Sequence, residues 1–198
     1  MSKSLAIRLS KCETFVNPKN NLEQYPTDSN VAADLLWNAY MLGDIEGKRI
    51  ADLGAGTGIL SLGAILLGAT EVVLIEKDPE ALEIAQKNLK SESSWQAIQD
   101  DIENFTGSFD TVIQNPPFGC QKKHADRPFL GKACQLAPIV YSLHSSESRE
   151  FLQKRAQEEG FQITHTWQYD FPIKKSRSYH KRRIHRIPVI AVRLRKTF

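Results

Sequence analysis

"KRIADLGAGTGILSLGAILLG", residues 48–68, decides the fold. Its first six residues, KRIADL, read as a strand, and Gly58 to Leu67 reads as an apolar helix closed by Gly68. Between them stand Gly54, Gly56 and Gly58. Glycine permits a tight turn and lets backbone approach a ligand closely. A dinucleotide fingerprint, G-x-G-x-x-G, would place its third glycine at position 59, which is Ile59 here. The pattern is G-x-G-x-G instead, with Asp52 two residues ahead of it at the strand end.

Outward from this unit, strands and helices alternate. "EVVLIE" (71–76) is a second strand, and Asp78-Pro79 is an N-cap followed by proline at the first helical position, opening a helix to about Lys90. "WQAIQ" (95–99) and "FDTVIQ" (109–114) are strands three and four. A short helix leads to "PIVYSL" (138–143), and Ser145 or Ser146 starts a helix that stops at Gly160. "FQITHTWQYDF" (161–171) and "IPVIAVRLR" (187–195) are two final strands. Upstream, Thr27 or Asp28 caps a helix through Met41, with Gly43 as its stop, and residues 1–26 read as irregular. The expected fold is α/β and Rossmann-like: a seven-stranded, mostly parallel sheet with an antiparallel last strand and helices on both faces. A single domain spans 1–198, with 172–186 a basic loop between the last two strands. In such sheets ligands bind at the carboxyl ends of the strands.

Bulk properties agree. The chain has 198 residues, 41% hydrophobic and 25% charged, the balance of a soluble globular protein. Its longest apolar stretch, Ile59 to Ala69, is too short to span a bilayer, and the N-terminus lacks a signal-peptide pattern. Cys12, Cys120 and Cys134 are far apart and form no CxxC pair, so neither a disulfide framework nor a zinc site is indicated. The expected location is the cytosol. The net charge is +3, yet "KKSRSYHKRRIHR", Lys174 to Arg186, holds seven Lys or Arg and no acid, leaving the rest of the chain at −4. A segment that supplies the whole positive balance, interleaved with Tyr179 and two histidines, suits a polyanion such as nucleic acid.

Acids follow three successive strands. Glu76 can accept from both hydroxyls of a ribose. Asp100 or Asp101 can offer a carboxylate to an adenine amino group while Ile102 offers an aliphatic face, so the loops together suit an adenosine moiety. Then comes "QNPPFG", residues 114–119. Prolines cannot continue a central ladder, so the chain stops pairing and leaves Asn115 at a strand tip. The Asn115 side-chain oxygen and the Pro116 carbonyl can each accept one N–H from an exocyclic amine. That leaves the nitrogen lone pair aimed at an electrophile, with Pro117 stiffening the acceptors. Phe118 can stack on a base, worth roughly 1–3 kcal/mol.

These motifs resemble a class I methyltransferase that uses S-adenosyl-L-methionine, and "NPPF" resembles the signature of its amino-methylating members. "LEQYPT", "ADLGAGTGILS", "DPEALEI", "FDTVIQNPPFG", "YSLHSSESRE" and "YDFPIKKSRSYHKR" are similar to the methyltransferase-like protein five family of small-subunit ribosomal RNA N6-adenosine methyltransferases and its archaeal relatives, over nearly the whole chain. The resemblance implies that Gln24 and Thr27 contact the methionine end of the cofactor. It implies that Gly54, Thr57 and Ile59 line the cofactor through the glycine loop, beside Asp52 and Gly56. Glu76 would hold the ribose, and Asp101 with Ile102 the adenine. Glu76 stands where many relatives have Asp, and Thr57 where the eukaryotic protein has Cys. Asn115, Pro116, Pro117 and Phe118 would form the catalytic motif, with no metal. Lys122, Lys123, Arg127, Lys174, Lys175, Arg177, Lys181, Arg182 and Arg183 would hold RNA phosphates around an extruded nucleotide. The resemblance also implies a small zinc-binding activator protein adding a strand beside "WQAIQ". Guanine-N2 or DNA amino methylation, protein glutamine methylation, and a non-catalytic RNA-binding assembly role are the alternatives.

Overall fold

The computed structural model describes residues 2–119, 126–174 and 184–197, with the side chains of 172–174 and 184–185 outside the description. Seven strands, β1 (Arg49–Leu53), β2 (Glu71–Glu76), β3 (Trp95–Gln99), β4 (Thr111–Gln114), β5 (Ile139–Ser145), β6 (Phe161–Lys174) and β7 (Ile184–Lys196), form one sheet in the order β3-β2-β1-β4-β5-β7-β6. The first five are parallel, and β7 runs antiparallel to both β5 and β6. Strands β1, β2 and β4 are buried along nearly their whole length because helices cover both faces, which explains their continuous apolar runs.

One face packs against α1 (Ser2–Leu9), α2 (Ser29–Met41) and α3 (Ile59–Leu66), joined by Ala85 and Leu89 of α4 (Pro79–Leu89). The other packs against α5 (Arg127–Leu136) and α6 (Arg149–Glu158). The local signals behave as read: the Asp28 side chain accepts from the Asn30 and Val31 amides, and Asp78 caps α4 ahead of Pro79. No helix among the described residues is long and apolar enough to cross a membrane.

Two readings need correction. Residues 1–26 are not irregular throughout, since Ser2–Leu9 is helical and buries Leu5, Ala6 and Leu9. An eight-residue helix is marginal alone, so packing against α2 and α3, which no local pattern reports, sustains it. The interval 172–186 is not all loop either. Strand pairing continues through Pro172↔Arg186, Ile173↔His185 and Lys174↔Ile184. Pro172 is tolerated because β6 is a sheet edge, and Pro188 sits just past Val189, where β7 stops pairing with β5. The β6–β7 hairpin thus projects beyond the carboxyl end of β5. A bulge at Thr164 accommodates the register shift between Ile163 and His165.

Neighbouring strands end level: Leu53 pairs with both Ile75 and Gln114, and Glu76 with Gln99. The loops after β1, β2, β3 and β4 therefore open on one side, at the point where the strand order reverses.

Candidate active site

A cavity of about 310 Å³ lies at these strand ends. The glycine turn forms its floor, with Gly54, Gly56 and Gly58 at φ +65, +55 and +79°. A Cβ on Gly54 would stand 2.8 Å from Phe129 Cε1 at the start of α5, and one on Gly56 would stand 3.0 Å from Phe15 Cζ. The two aromatics, far apart in sequence, cover the turn and line the cavity with it.

Asp52 borders the cavity, yet its carboxylate is engaged by the fold. Oδ2 accepts from the Ser61 amide at 3.0 Å and the Ser61 hydroxyl at 2.6 Å. Gly58, the N-cap of α3, has no side chain to serve the first-turn amides, and Asp52 does so from the strand end. Burial pushes the Asp52 carboxyl up to about 7, with the Ser61 hydrogen bonds opposing and the Glu76 charge adding.

Glu76 closes the next loop. Its Oε2 accepts from Gly56 N and its Oε1 from Asp78 N, both at 2.9 Å. This holds the carboxylate in the cavity wall, where a diol could donate to its oxygens. Burial raises its pKa, and the two amides oppose the rise. Asp101 and the buried Ile102 continue the wall. Asp101 lies 3.8 Å from Lys77 Nζ and accepts from the Glu103 amide at 3.1 Å. Thr57 and Ile59 line the cavity as well. The Thr57 carbonyl accepts from Asn88 Nδ2 at 2.8 Å, and the same amide group binds the Glu13 backbone at 3.0 Å (through Nδ2) and 2.8 Å (through Oδ1).

Residues 13–27 form a strap across this turn. Gln24 lines the cavity, but its side chain is tied to the strap's anchor: Nε2 donates to Asp78 Oδ2 at 2.6 Å, and Oε1 accepts from Lys19 N at 2.8 Å. Lys19 Nζ adds a 2.6 Å bond to Asp78 Oδ1. Although burial opposes it, these donors and the Glu80 amide hold the Asp78 carboxyl below its usual range. A cofactor contact by Gln24 must therefore use what this latch leaves over.

At the far end, Asn115 and Pro117 line the cavity and Pro116 is buried beside them. Asn115 Nδ2 donates to Thr27 Oγ1 at 2.9 Å, while its Oδ1 is buried without a hydrogen-bond partner. Thr27, read as a cofactor contact, thus also touches the Asn-Pro-Pro-Phe stretch. Phe118 is not in the cavity lining; it packs edge-to-face on the buried Phe171 of β6, with ring centroids 5.8 Å apart at 84°. Arg127 is exposed at the start of α5, its guanidinium 5.1 Å from the Phe151 ring. Of the other basic residues, Lys122, Lys123, Lys175, Arg177, Lys181, Arg182 and Arg183 lie outside the described residues, as does the Lys174 side chain.

Sequence reasoning missed Phe15, Phe129 and Glu23. Glu23 is buried, lines the cavity, and accepts from Gly119 N at 3.0 Å. Its place beside Gln24 was the only available signal. A buried polar chain was missed too: Gln114 Nε2 donates to Ser142 Oγ (3.0 Å), Ser142 meets His144 Nε2 (2.6 Å), and His144 Nδ1 faces Asp126 (3.3 Å). It joins the ends of β4 and β5 to the start of α5.

The residues fit S-adenosylmethionine. Two glycines let the turn lie close under Phe15 and Phe129 in the cavity wall, a carboxylate suited to a diol sits one strand over, and Asn115, its Oδ1 without a partner among the described residues, lines the remaining end. Sheet order and cavity together define a class I methyltransferase with S-adenosylmethionine as its methyl donor. Residues 29–135 match the family model "Methyltransferase small domain". The chain is 34% identical to the zebrafish (Danio rerio) rRNA N6-adenosine-methyltransferase METTL5, covering 98% of this chain and 99% of that one. To the Drosophila melanogaster Mettl5 it is 36% identical, over 88% and 87% respectively. The crystal structure of the Pyrococcus horikoshii protein PH1948 superposes with a TM-score of 0.94 at 48% identity, over 100% of this chain and 98% of that one. The chain belongs to the METTL5 family of methyltransferases.

Proposed function

We propose that the protein transfers a methyl group to the N6 amine of an adenosine in small-subunit ribosomal RNA. The observation that carries this reading is Asn115 in the cavity wall, with its Oδ1 buried and lacking a hydrogen-bond partner among the described residues. Leaving a buried acceptor unpaired costs about 1–3 kcal/mol, so a donor from the substrate is what the position is built to receive. When bound, the cofactor supplies an electrophilic methyl group. Asn115 Oδ1 and the Pro116 carbonyl accept the two amine N–H bonds, which leaves the nitrogen lone pair directed at that methyl. Pro116 and Pro117 keep both acceptors in place before the base arrives, so the rate gain comes from positioning. The half-buried Phe118, braced by Phe171, offers its remaining face to the base.

The paired part of β6 and β7 extends beyond the carboxyl end of β5, the end at which the cavity opens, as far as Lys174 and Ile184, and the sequence between those two residues is strongly basic, which supports an RNA substrate over a protein one. Support for ribosomal RNA comes from what the METTL5 relatives are named for. The small zinc-binding activator protein belongs to this proposal as well. Among the described residues β3 pairs with β2 alone, which supports its other edge as the place for an added strand.

The test is incubation of small-subunit ribosomal RNA with labelled cofactor, digestion, and mass spectrometry of the nucleosides. Label on N6-methyladenosine is expected, lost in Asn115→Ala at unchanged RNA affinity. Label on guanosine would overturn the adenosine assignment.

A further inference from the structure

Two loops from distant parts of the chain are laced together at the target end of the cavity. Glu23–Thr27 and Asn115–Gly119 run antiparallel, with the first residue of each tied to the last of the other. Gly119 N donates to Glu23 Oε2 at 3.0 Å, and Asn115 Nδ2 donates to Thr27 Oγ1 at 2.9 Å. Glu23 sits at φ 49°, ψ 44°, left-handed backbone that disfavours any side chain with a Cβ, yet the residue is only 7% exposed. Glycine would take that backbone more readily; glutamate there supplies the acceptor that Gly119 uses.

We infer that Thr27 and Glu23 are positioning residues for the amine-methylating reaction, Thr27 by setting the orientation of the Asn115 amide and Glu23 by fixing the loop that carries it. The inference rests on the reading of Asn115 given above. An asparagine amide can present either its oxygen or its NH2 to the cavity, and only the oxygen accepts an amine N–H. A hydroxyl partner tolerates both orientations, because it can accept from NH2 or donate to oxygen. The choice depends on where the hydroxyl's own proton goes. Thr27 lines the cavity, and no acceptor for its proton exists among the described residues. An acceptor in the cavity, such as a cofactor carboxylate, takes that proton and leaves the Thr27 oxygen able only to accept. Asn115 must then point NH2 at Thr27 and Oδ1 at the target. Filling the methyl-donor site thereby readies the site for the amine.

The experiment compares Thr27→Val, Thr27→Ser, Glu23→Ala and Glu23→Gln in the full-length protein. It measures kcat and KM on small-subunit ribosomal RNA and the Kd of S-adenosylhomocysteine by calorimetry. Thr27→Val is expected to lower kcat by about tenfold or more with KM and Kd changed by less than about fivefold, and Thr27→Ser to restore most of it. Glu23→Ala is expected to lower kcat similarly, while Glu23→Gln, whose amide oxygen still accepts from Gly119, retains most of it. In 15N-labelled protein without cofactor, the Asn115 side-chain amide protons should exchange about tenfold faster in Thr27→Val than in Thr27→Ser. The inference is overturned by near-wild-type kcat in Thr27→Val and Glu23→Ala, by a loss residing wholly in the S-adenosylhomocysteine Kd, or by equal amide exchange. Should Thr27→Val not fold, the Glu23 pair decides. If wild type methylates something other than adenosine, the substrate assignment falls while the exchange comparison still reports on Thr27.

Discussion

The Asp52 carboxylate serves as the missing cap of Ser61, binding its amide at 3.0 Å and its hydroxyl at 2.6 Å from the end of the preceding strand. The sequence alone makes this acid a candidate cofactor ligand. In the fold its first duty is to start α3, and that gives its protonation a consequence for stability. Folded, Asp52 holds its proton up to about pH 7, whereas its ordinary value is 3.8. Across that interval the unfolded chain releases a proton that the folded chain retains. The contribution is therefore full below about pH 4 and is lost as pH rises through 7. Wild type should lose roughly 2–3 kcal/mol more stability than Asp52→Asn between pH 5 and pH 8, read from urea unfolding at both values. Parallel changes in the two proteins would show Asp52 ionised in the fold.

Glu76→Gln is expected to be harmful despite its conserved shape. Each carboxylate oxygen accepts from one buried amide, Gly56 N or Asp78 N. Glutamine has one oxygen, so its NH2 must face a second donor. A stability loss of about 1–3 kcal/mol should accompany a weaker S-adenosylhomocysteine Kd in calorimetry.

Gly54→Ala meets two separate penalties. The backbone lies at φ +65°, worth about 1–2 kcal/mol against any Cβ. The Cβ would also stand 2.8 Å from Phe129 Cε1. Adding Phe129→Leu should recover the second penalty only, so thermal unfolding of the double variant should fall between Gly54→Ala and wild type.

Asn88→Ala removes the side chain that joins the strap at Glu13 to the glycine turn at Thr57. Amide hydrogen exchange should rise across residues 13–27 while the sheet keeps its protection, with a global loss of about 1–2 kcal/mol.

The pattern of hits and misses follows range along the chain. The glycine turn, the Asp78-Pro79 cap and the strand-ending prolines were legible because each is a local property of a few consecutive residues. The cavity's cover was not. Phe15 and Phe129 meet the turn from far away in sequence, and Thr27 and Asn115 are 88 residues apart. Nothing local distinguishes such aromatics or hydroxyls from ordinary loop residues. Asp52 lines the cavity and also caps α3, and the second duty was not legible because a strand-tip acid looks the same in sequence whether or not it serves the next helix; the 2.6 Å contact with Ser61 reveals it. The helix at Ser2–Leu9 escaped for a related reason: its stability comes from neighbours rather than from its own eight residues.

The family model begins at residue 29, one position after the cap of α2. A polypeptide trimmed to that boundary would keep all seven strands and every glycine of the turn, and it would still lose Phe15, Glu23 and Thr27. Crystallographers and protein engineers seeking a minimal version should thus expect a shortened protein that folds into a recognisable sheet while the amide of Asn115 swings without a guide. In this molecule the leading segment, easily mistaken for a dispensable tail, is half of the pair of loops that Thr27–Asn115 and Glu23–Gly119 fasten together.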